Sequence, residues 1–474
     1  MHGRTERGGA MAFFECNLER KAPEHLFWEG KSAYEKVSER IYQRTEKLNQ
    51  ACSLVSMKPE TFQLLASELF RKEENANGNV DRFDAMTPEQ LADYARLAFR
   101  GEEAETRLVF PNAVVLFDTA FATVKEWESL RHIGIGGSDS AVICDVSEYK
   151  TKRGLYYDKV GYPVKININE DRQSVFDRGH AVEDNVIGTF CRLTGAVRIR
   201  DTRMFRSRTH PHCIADIDAI LRMPDGQLRI FEAKSTVAEN SPAWENNQVP
   251  PYYQTQCRHY PAVLDDPRIE GTFIGCLFVV DWTIGGRFVA SQYDEDRFVS
   301  RYIPRDAGIE KDQLDRNEEF WQDYIDAGIE PSVSDPGGKA LDELKSVVGP
   351  SVPEAPPIDL TSRENAAAVQ RMNELKTKMG DVKAFQIDPL QKEYDELKYR
   401  LIEQLGTTQD GLITADDGIW EVRYRASKKT EVNTELLKTC YPDIYSRVVT
   451  VNKEASRRFS IEPHKVRTKR AGSP

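Results

Sequence analysis

Ala215-Asp216-Ile217-Asp218-Ala219-Ile220-Leu221 and, one short turn later, Arg229-Ile230-Phe231-Glu232-Ala233-Lys234 are the stretches on which the fold is read. Alternating apolar residues predict one strand over Cys213 to Met223 and a second over Leu228 to Ala233. Pro224-Asp225-Gly226 between them is a turn signal, so the two form a hairpin. Residues two apart on a strand point to the same face, so Glu232 and Lys234 present an acid and an amine side by side. A hairpin lets Asp218 join them. Two carboxylates with the neighbouring backbone carbonyl of Ala233 make an oxygen-rich site suited to Mg²⁺, with Mn²⁺ as a substitute. The lysine can hold an attacking water or help deprotonate it. An acid-x-lysine pair also occurs on solvated sheet faces. Here Ile230 and Phe231 set the strand deep, where ionised groups seldom sit without a partner or a metal. Asp216 competes with Asp218 for the metal role; the offset of Asp218 to Glu232 suits a hairpin better.

Two helices are expected around this hairpin. Phe176 to Leu193 carries Glu183 ahead of the strands. Tyr252 to Leu264 follows them and places Gln256, Cys257 and Tyr260 on one face. Taken singly, Glu183 reads as a solvated helix acid, and Tyr252 and Tyr260 read as core aromatics. Thr272 to Val280 is near-continuously apolar, as a buried central strand would be.

In this order the pieces resemble the YqaJ-type viral recombinase family, which includes bacteriophage lambda exonuclease. The resemblance begins at Arg131-His132-Ile133-Gly134-Ile135-Gly136-Gly137-Ser138-Asp139 and runs through Ser147-Glu148-Tyr149-Lys150-Thr151 and Arg178-Gly179 with Glu183. It continues through the Asp218 strand, Glu232-Ala233-Lys234, Pro250-Pro251-Tyr252-Tyr253, Gln256 and His259-Tyr260, covering roughly residues 125–305. Cys440-Tyr441-Pro442-Asp443-Ile444-Tyr445 and Arg457-Arg458-Phe459 also look like tails of phage proteins in this family. The resemblance implies a restriction-endonuclease-like α/β (α+β) core of PD-(D/E)XK type, a mixed sheet flanked by helices. It implies that Asp218 and Glu232 hold Mg²⁺, that Lys234 positions the water, and that Glu183 and Gln256 complete the site. The family activity is processive 5′→3′ degradation of one strand of duplex DNA from a 5′-phosphate end, within a ring-shaped homo-oligomer such as a trimer. Arg131 and Ser138 match the residues that bind that phosphate, and Tyr252 is placed with them on the DNA side. One cation, one hydroxyl and approachable glycine amides suit a phosphate. The usual Pro-Asp-Gly around the metal aspartate is here Ile217-Asp218-Ala219.

The remaining sequence sets the context. Hydrophobic residues are 40% and charged residues 30%, the balance of a soluble globular chain. No apolar run of membrane-spanning length occurs. The polar Gly/Arg-rich Met1 to Ala10 lacks the apolar core of a signal peptide, and no cysteine forms a CxxC pair. Reduced thiols in a cytoplasm are therefore expected. A net charge of -11 argues against a non-specific DNA coat, though not against a local basic channel. Gly134 to Ser138 lacks the Gly-Lys-Ser/Thr of a P-loop. His180, His210, His212 and Cys213 fit no common zinc spacing.

Four segments are expected. Residues 1–120 form a helical accessory domain, with a capping box at Thr87-Pro88-Glu89-Gln90 opening a helix to about Phe99. Residues 121–330 form the nuclease core, and 331–362 a Pro-broken linker. Residues 363–474 form a helical hairpin, a small β-rich piece and a basic tail at Lys465, Arg467, Lys469 and Arg470. The expected function is an Mg²⁺-dependent exonuclease acting on double-stranded DNA ends and handing 3′ overhangs to a single-strand annealing protein, with no membrane role. The alternatives are an endonuclease of defence or genome processing, and a non-catalytic DNA-end or protein-binding module.

Overall fold

The computed structural model describes residues 13–77, 80–162, 170–237, 243–244, 248–284, 287–332, 340–348, 359, 361–405, 410–415, 418–423 and 438–448. The chain divides into two compact units, Met1–Gly349 and Pro350–Pro474. No helix among the described residues is long and apolar enough to cross a membrane.

The first unit opens with helices α1 (Trp28–Ser53), α2 (Pro59–Asn77), α3 (Asp81–Ala85) and α4 (Pro88–Ala98). The capping box at Thr87 forms as read, with Pro88 at the first helical position. Phe62, Phe70, Phe83, Leu91 and Phe121 make the core of these helices. Buried Arg44 crosses it to Asp84 at 2.8 Å and Glu126 at 2.7 Å. Such a buried cation is tolerable because it has two carboxylate partners. The helices are not set apart at residue 120. Strand β1 (Ala113–Asp118) lies within the expected helical segment and pairs with β3 (Arg203–Ser207), and the helices share one compact unit with the sheets.

After β1 come α5 (Val124–Leu130), α6 (Gly137–Ile143), α7 (Lys152–Lys159) and α8 (Glu170–Thr194). Strands β2 (Val197–Ile199), β3, β4 (Ile214–Ala215), β5 (Ala219–Arg222) and β6 (Leu228–Val237) follow. Then come α9 (Pro251–Leu264), β7 (Ile269–Ile284), β8 (Arg287–Pro304) and α10 (Ala307–Phe320). The main sheet has the order β2-β5-β6-β7-β8 and is antiparallel except for the parallel pair β6–β7, whose crossover is α9. This is the expected mixed sheet flanked by helices.

Side-chain alternation sorts the two faces. Ala219, Leu221 and Phe231 pack with Val186, Ile187 and Phe190 of α8. Ile220 and Ile230 pack on the other side with Tyr260, Val263 and Leu264 of α9. Glu232 and Lys234 share the parity of Ile230, so they face α9.

The strand expected over Cys213 to Met223 is two strands in two sheets. β4 joins β3 in a three-stranded sheet, and β5 joins β2 and β6 in the five-stranded one. Between them Asp216, Ile217 and Asp218 leave the ladder. The two carboxylates find other donors there: the Trp127 indole N–H reaches Asp216 at 2.7 Å and the Ala233 amide reaches Asp218 at 2.8 Å. A tight hairpin does follow, with Ala219 opposite Phe231 and Arg222 opposite Leu228.

Helix α11 (Ala340–Val348) is the last described element of the first unit; the second unit holds α12 (Arg363–Val382), α13 (Asp388–Leu405) and the hairpin β9 (Asp410–Ala415) with β10 (Gly418–Arg423). Ser362 caps α12 and α13 begins at Asp388, but a π-helical segment Lys383–Ile387 joins them into one continuous helix rather than the expected hairpin. The basic tail and Arg457-Arg458-Phe459 lie outside the described residues.

Candidate active site

β6 carries the centre of the site. Glu232 is only 1% exposed, and its Oε1 accepts hydrogen bonds from the Lys234 ammonium and, at 2.6 Å, from Gln256 Nε2. Gln256 also donates to the Tyr260 hydroxyl one turn along α9 at 2.7 Å, so Glu232 and Tyr260 together fix its amide. The other carboxylate oxygen, Glu232 Oε2, is buried without a hydrogen-bond partner. An orphaned anionic oxygen at that depth is costly unless something positive meets it.

Asp218 sits at the lip of β5. If the β5–β6 register ran one residue further it would stand opposite Glu232; instead its Oδ2 takes the Ala233 amide at 2.8 Å. The Ala233 backbone is thereby held between the two acids. Glu183, on α8, is half-buried at the same cavity. Its neighbour Asp184 pairs with Arg198, and Arg198 Nη2 donates to the Asp218 carbonyl at 3.3 Å.

These carboxylates raise one another. Burial, then the Asp218 charge, pushes Glu232 up to about 7. Burial, then Asp218, pushes Glu183 up to about 8. Burial lifts Asp216 to about 6 against the pull of the Trp127 hydrogen bond. Burial works against the Lys234 cation, but the Glu232 and Asp218 charges outweigh it and hold the lysine protonated. The Lys234 ammonium also lies 5.1 Å from the ring centre of Tyr253.

The first motif of the resemblance closes one side. Gly137 begins α6 against α9; a Cβ there would lie 2.9 Å from Gln256 Cγ and 3.2 Å from Tyr260 Cε1, so only glycine permits this approach. The approach sets Ser138 beside α9. Arg131 lies 3.5 Å from the Ser138 hydroxyl, stacks 4.8 Å from the Trp127 ring centre and faces Asp139 at 3.7 Å. Asp139 is itself claimed by buried Lys159 at 2.7 Å, which leaves the Arg131 cation only partly neutralised.

Glu183, Asp218, Glu232, Ala233, Lys234, Gln256, Arg131 and Ser138 all line one cavity of about 1000 Å³. Tyr252 is the exception: its hydroxyl meets that of Tyr149 at 3.1 Å, and Tyr149 and Tyr253 line the cavity in its place. Among the described residues no three His, Cys, Asp or Glu side chains draw together into a closed metal cage. The donor chemistry still fits a hard divalent cation: three carboxylates on one cavity, one with an unpaired oxygen, and a backbone carbonyl between two of them.

Several participants escaped sequence reading. Trp127 carries no motif, yet it holds both Asp216 and Arg131. Gln63, Ser67, Arg71 and Glu74 of α2 line the cavity although the N-terminal helices offered no chemical motif. His210 and His212 bond Asp315 at 3.1 Å and Glu318 at 2.7 Å. The side chain of His180 is outside the described residues.

Protein YqaJ of Bacillus subtilis (strain 168) is 27% identical over 351 residues, spanning 74% of this chain and 98% of that protein. The crystal structure of an alkaline exonuclease from Laribacter hongkongensis matches at 15% identity with a TM-score of 0.32, covering 44% of this chain and 95% of the other. The YqaJ-like viral recombinase domain model matches residues 126–266, a range that contains Arg131, Ser138, Glu183, Asp218, Glu232, Lys234 and Gln256. Residues 126–266 of this chain are thus similar to the YqaJ-like viral recombinase domain, and the candidate site lies within them.

Proposed function

We propose that the protein is an Mg²⁺-dependent deoxyribonuclease that degrades duplex DNA from its ends, 5′→3′, leaving 3′ single-stranded overhangs. The observation that carries this reading is the buried Glu232, whose one oxygen is held by Lys234 and Gln256 while the other has no partner, beside Asp218 and Glu183 on one cavity. Asp218, Glu232, Glu183 and the Ala233 carbonyl are the groups that would hold the cation. Bound there, Mg²⁺, or Mn²⁺ in its place, would polarise the scissile phosphate and favour hydroxide over water.

The chain's own residues supply the rest. Lys234, kept charged by its two acidic neighbours, orients the attacking water and steadies the phosphate oxygens. Gln256 fixes the Glu232 carboxylate so that its free oxygen stays turned to the cavity. Arg131 and Ser138 receive the terminal 5′-phosphate, a guanidinium and a hydroxyl for one dianion. The proposal extends to a cytoplasmic, ring-shaped homo-oligomer for processivity and to a single-strand annealing protein that receives the overhang.

The test is Asp218→Ala against the wild type on linear duplex DNA in Mg²⁺. Cutting is expected to vanish while the melting profile and DNA-end binding persist. Undiminished cutting by the variant rejects the assignment.

A further inference from the structure

One wall of the cavity comes from a segment that precedes the matched domain. Gln63, Ser67, Arg71 and Glu74 recur at helical spacing on α2, and all four line the cavity that holds the catalytic carboxylates. The opposite face of α2 is anchored in the helical core through Phe62, Ala66, Leu69 and Phe70. The helix is also tied to the loop after β2. Buried Gln63 donates to Asp118 at 3.1 Å and to Thr202 at 3.0 Å, and Thr202 donates to Asp118 at 2.7 Å. At the start of β3, Arg203 clamps Asp201 of this loop at 2.6 Å and donates to the Leu108 carbonyl at 2.7 Å. The position of Arg200 relative to α2 is thereby set by buried hydrogen bonds on both sides.

Arg71 and Arg200 are exposed, and neither guanidinium forms a close hydrogen bond or ion pair with the described residues, although both feel the charge of Asp184. They line the catalytic cavity and also a second hollow of about 300 Å³, which shares Leu64, Ser67, Arg71 and Arg200 with it. The two hollows therefore meet at these arginines. The acids that face these arginines are Glu74 and Asp184, the latter already paired with Arg198; Lys72, beyond them in the second hollow, is paired with Glu68 at 2.6 Å. In a chain of net charge -11, two exposed guanidiniums at the junction of two hollows, neither in a close ion pair with the described residues, make a local anion site.

We infer that Arg71 and Arg200, with the Ser67 hydroxyl on the same wall, bind the sugar–phosphate backbone of the DNA strand that leads away from the scissile phosphate. This rests on the nuclease reading of the catalytic centre. The second hollow gives the strand its path over α2, so the N-terminal helices act as a substrate-holding arm of the enzyme.

The test compares the full-length wild type, the double variant R71A/R200A and the charge-keeping R71K/R200K. Binding of a fluorescent 5′-phosphorylated duplex is measured in EDTA across a KCl series. The alanine variant is expected to bind about tenfold more weakly, with a log–log salt slope flatter by about 1.8, since each lost phosphate contact removes about 0.9. The lysine variant is expected to keep the wild-type slope. Hydrolysis of a small diester, bis(p-nitrophenyl) phosphate, which is too short to reach α2, is expected to be unchanged in both. Equal affinity and slope in wild type and R71A/R200A overturns the inference, as does a wild type that binds no duplex. A wild type that binds duplex through these arginines but cuts neither substrate refutes the nuclease proposal alone.

Discussion

Replacing Glu232 with Gln is expected to stabilise the protein at alkaline pH while stopping its chemistry. Glu232 is 1% exposed and its carboxyl is lifted from the ordinary 4.5 to about 7 by burial and by Asp218. Between those two values the folded chain keeps a proton that the unfolded chain has lost. Stability therefore falls as pH rises through this window, and the loss is complete above 7. At about 1.4 kcal/mol for each tenfold change in proton concentration between 4.5 and about 7, the loss comes to about 3 kcal/mol. The favourable pairing with Lys234 is already part of that balance. A glutamine is the neutral form made permanent and escapes the loss. In EDTA, thermal melts of wild type and Glu232→Gln should coincide near pH 5 and separate by roughly 6 °C at pH 8, taking about 2 °C per kcal/mol for a unit of this size. Adding Mg²⁺ at pH 8 should raise the wild type toward the variant and leave the variant where it is. A gap that stays constant with pH, or a variant that melts lower at pH 8, would refute the reasoning.

Other consequences can be checked independently. Nuclease activity should rise with pH from 6 to 9, because Glu232 at about 7 and Glu183 at about 8 must shed protons before they can serve a cation; a pH–rate profile with an acidic optimum contradicts this. Arg131→Ala should lower the preference for 5′-phosphorylated over 5′-hydroxyl ends by about tenfold or more, read as a ratio of initial rates, and an unchanged ratio removes the residue from the end site. Gly137→Ala should destabilise by about 1–3 kcal/mol and slow cutting, because its methyl would press on Gln256 and Tyr260; a variant as active and stable as wild type would show that this approach is slack.

The acid-x-lysine strand was legible because its signal is local. Period-two alternation alone puts Glu232 and Lys234 on one face, and the turn at Pro224-Asp225-Gly226 pins the hairpin register that the structure displays. Gln256 was legible because one helical turn separates it from Tyr260. The break at Asp216 to Asp218 was not. Its apolar neighbours read as continuous strand, and only the distant Trp127 indole and Ala233 amide explain why the ladder stops there. Tyr252 and Tyr253 are adjacent, and which of them turns to the cavity depends on Tyr149, a partner 103 residues away. The role of α2 was hidden for the same reason: Gln63, Ser67 and Arg71 form an ordinary polar helix face until the loop after β2 is folded against it.

The central claim is that Glu183, Asp218, Glu232 and Lys234 form a cation-dependent phosphodiesterase centre. The most direct measurement follows nucleotide release from linear duplex DNA labelled at one 5′ or one 3′ end, with Mg²⁺ or with EDTA. The account predicts early loss of the 5′ label in Mg²⁺, faster from phosphorylated ends, and intact DNA in EDTA. Equal release with the chelator present, or no release under either condition, would contradict it.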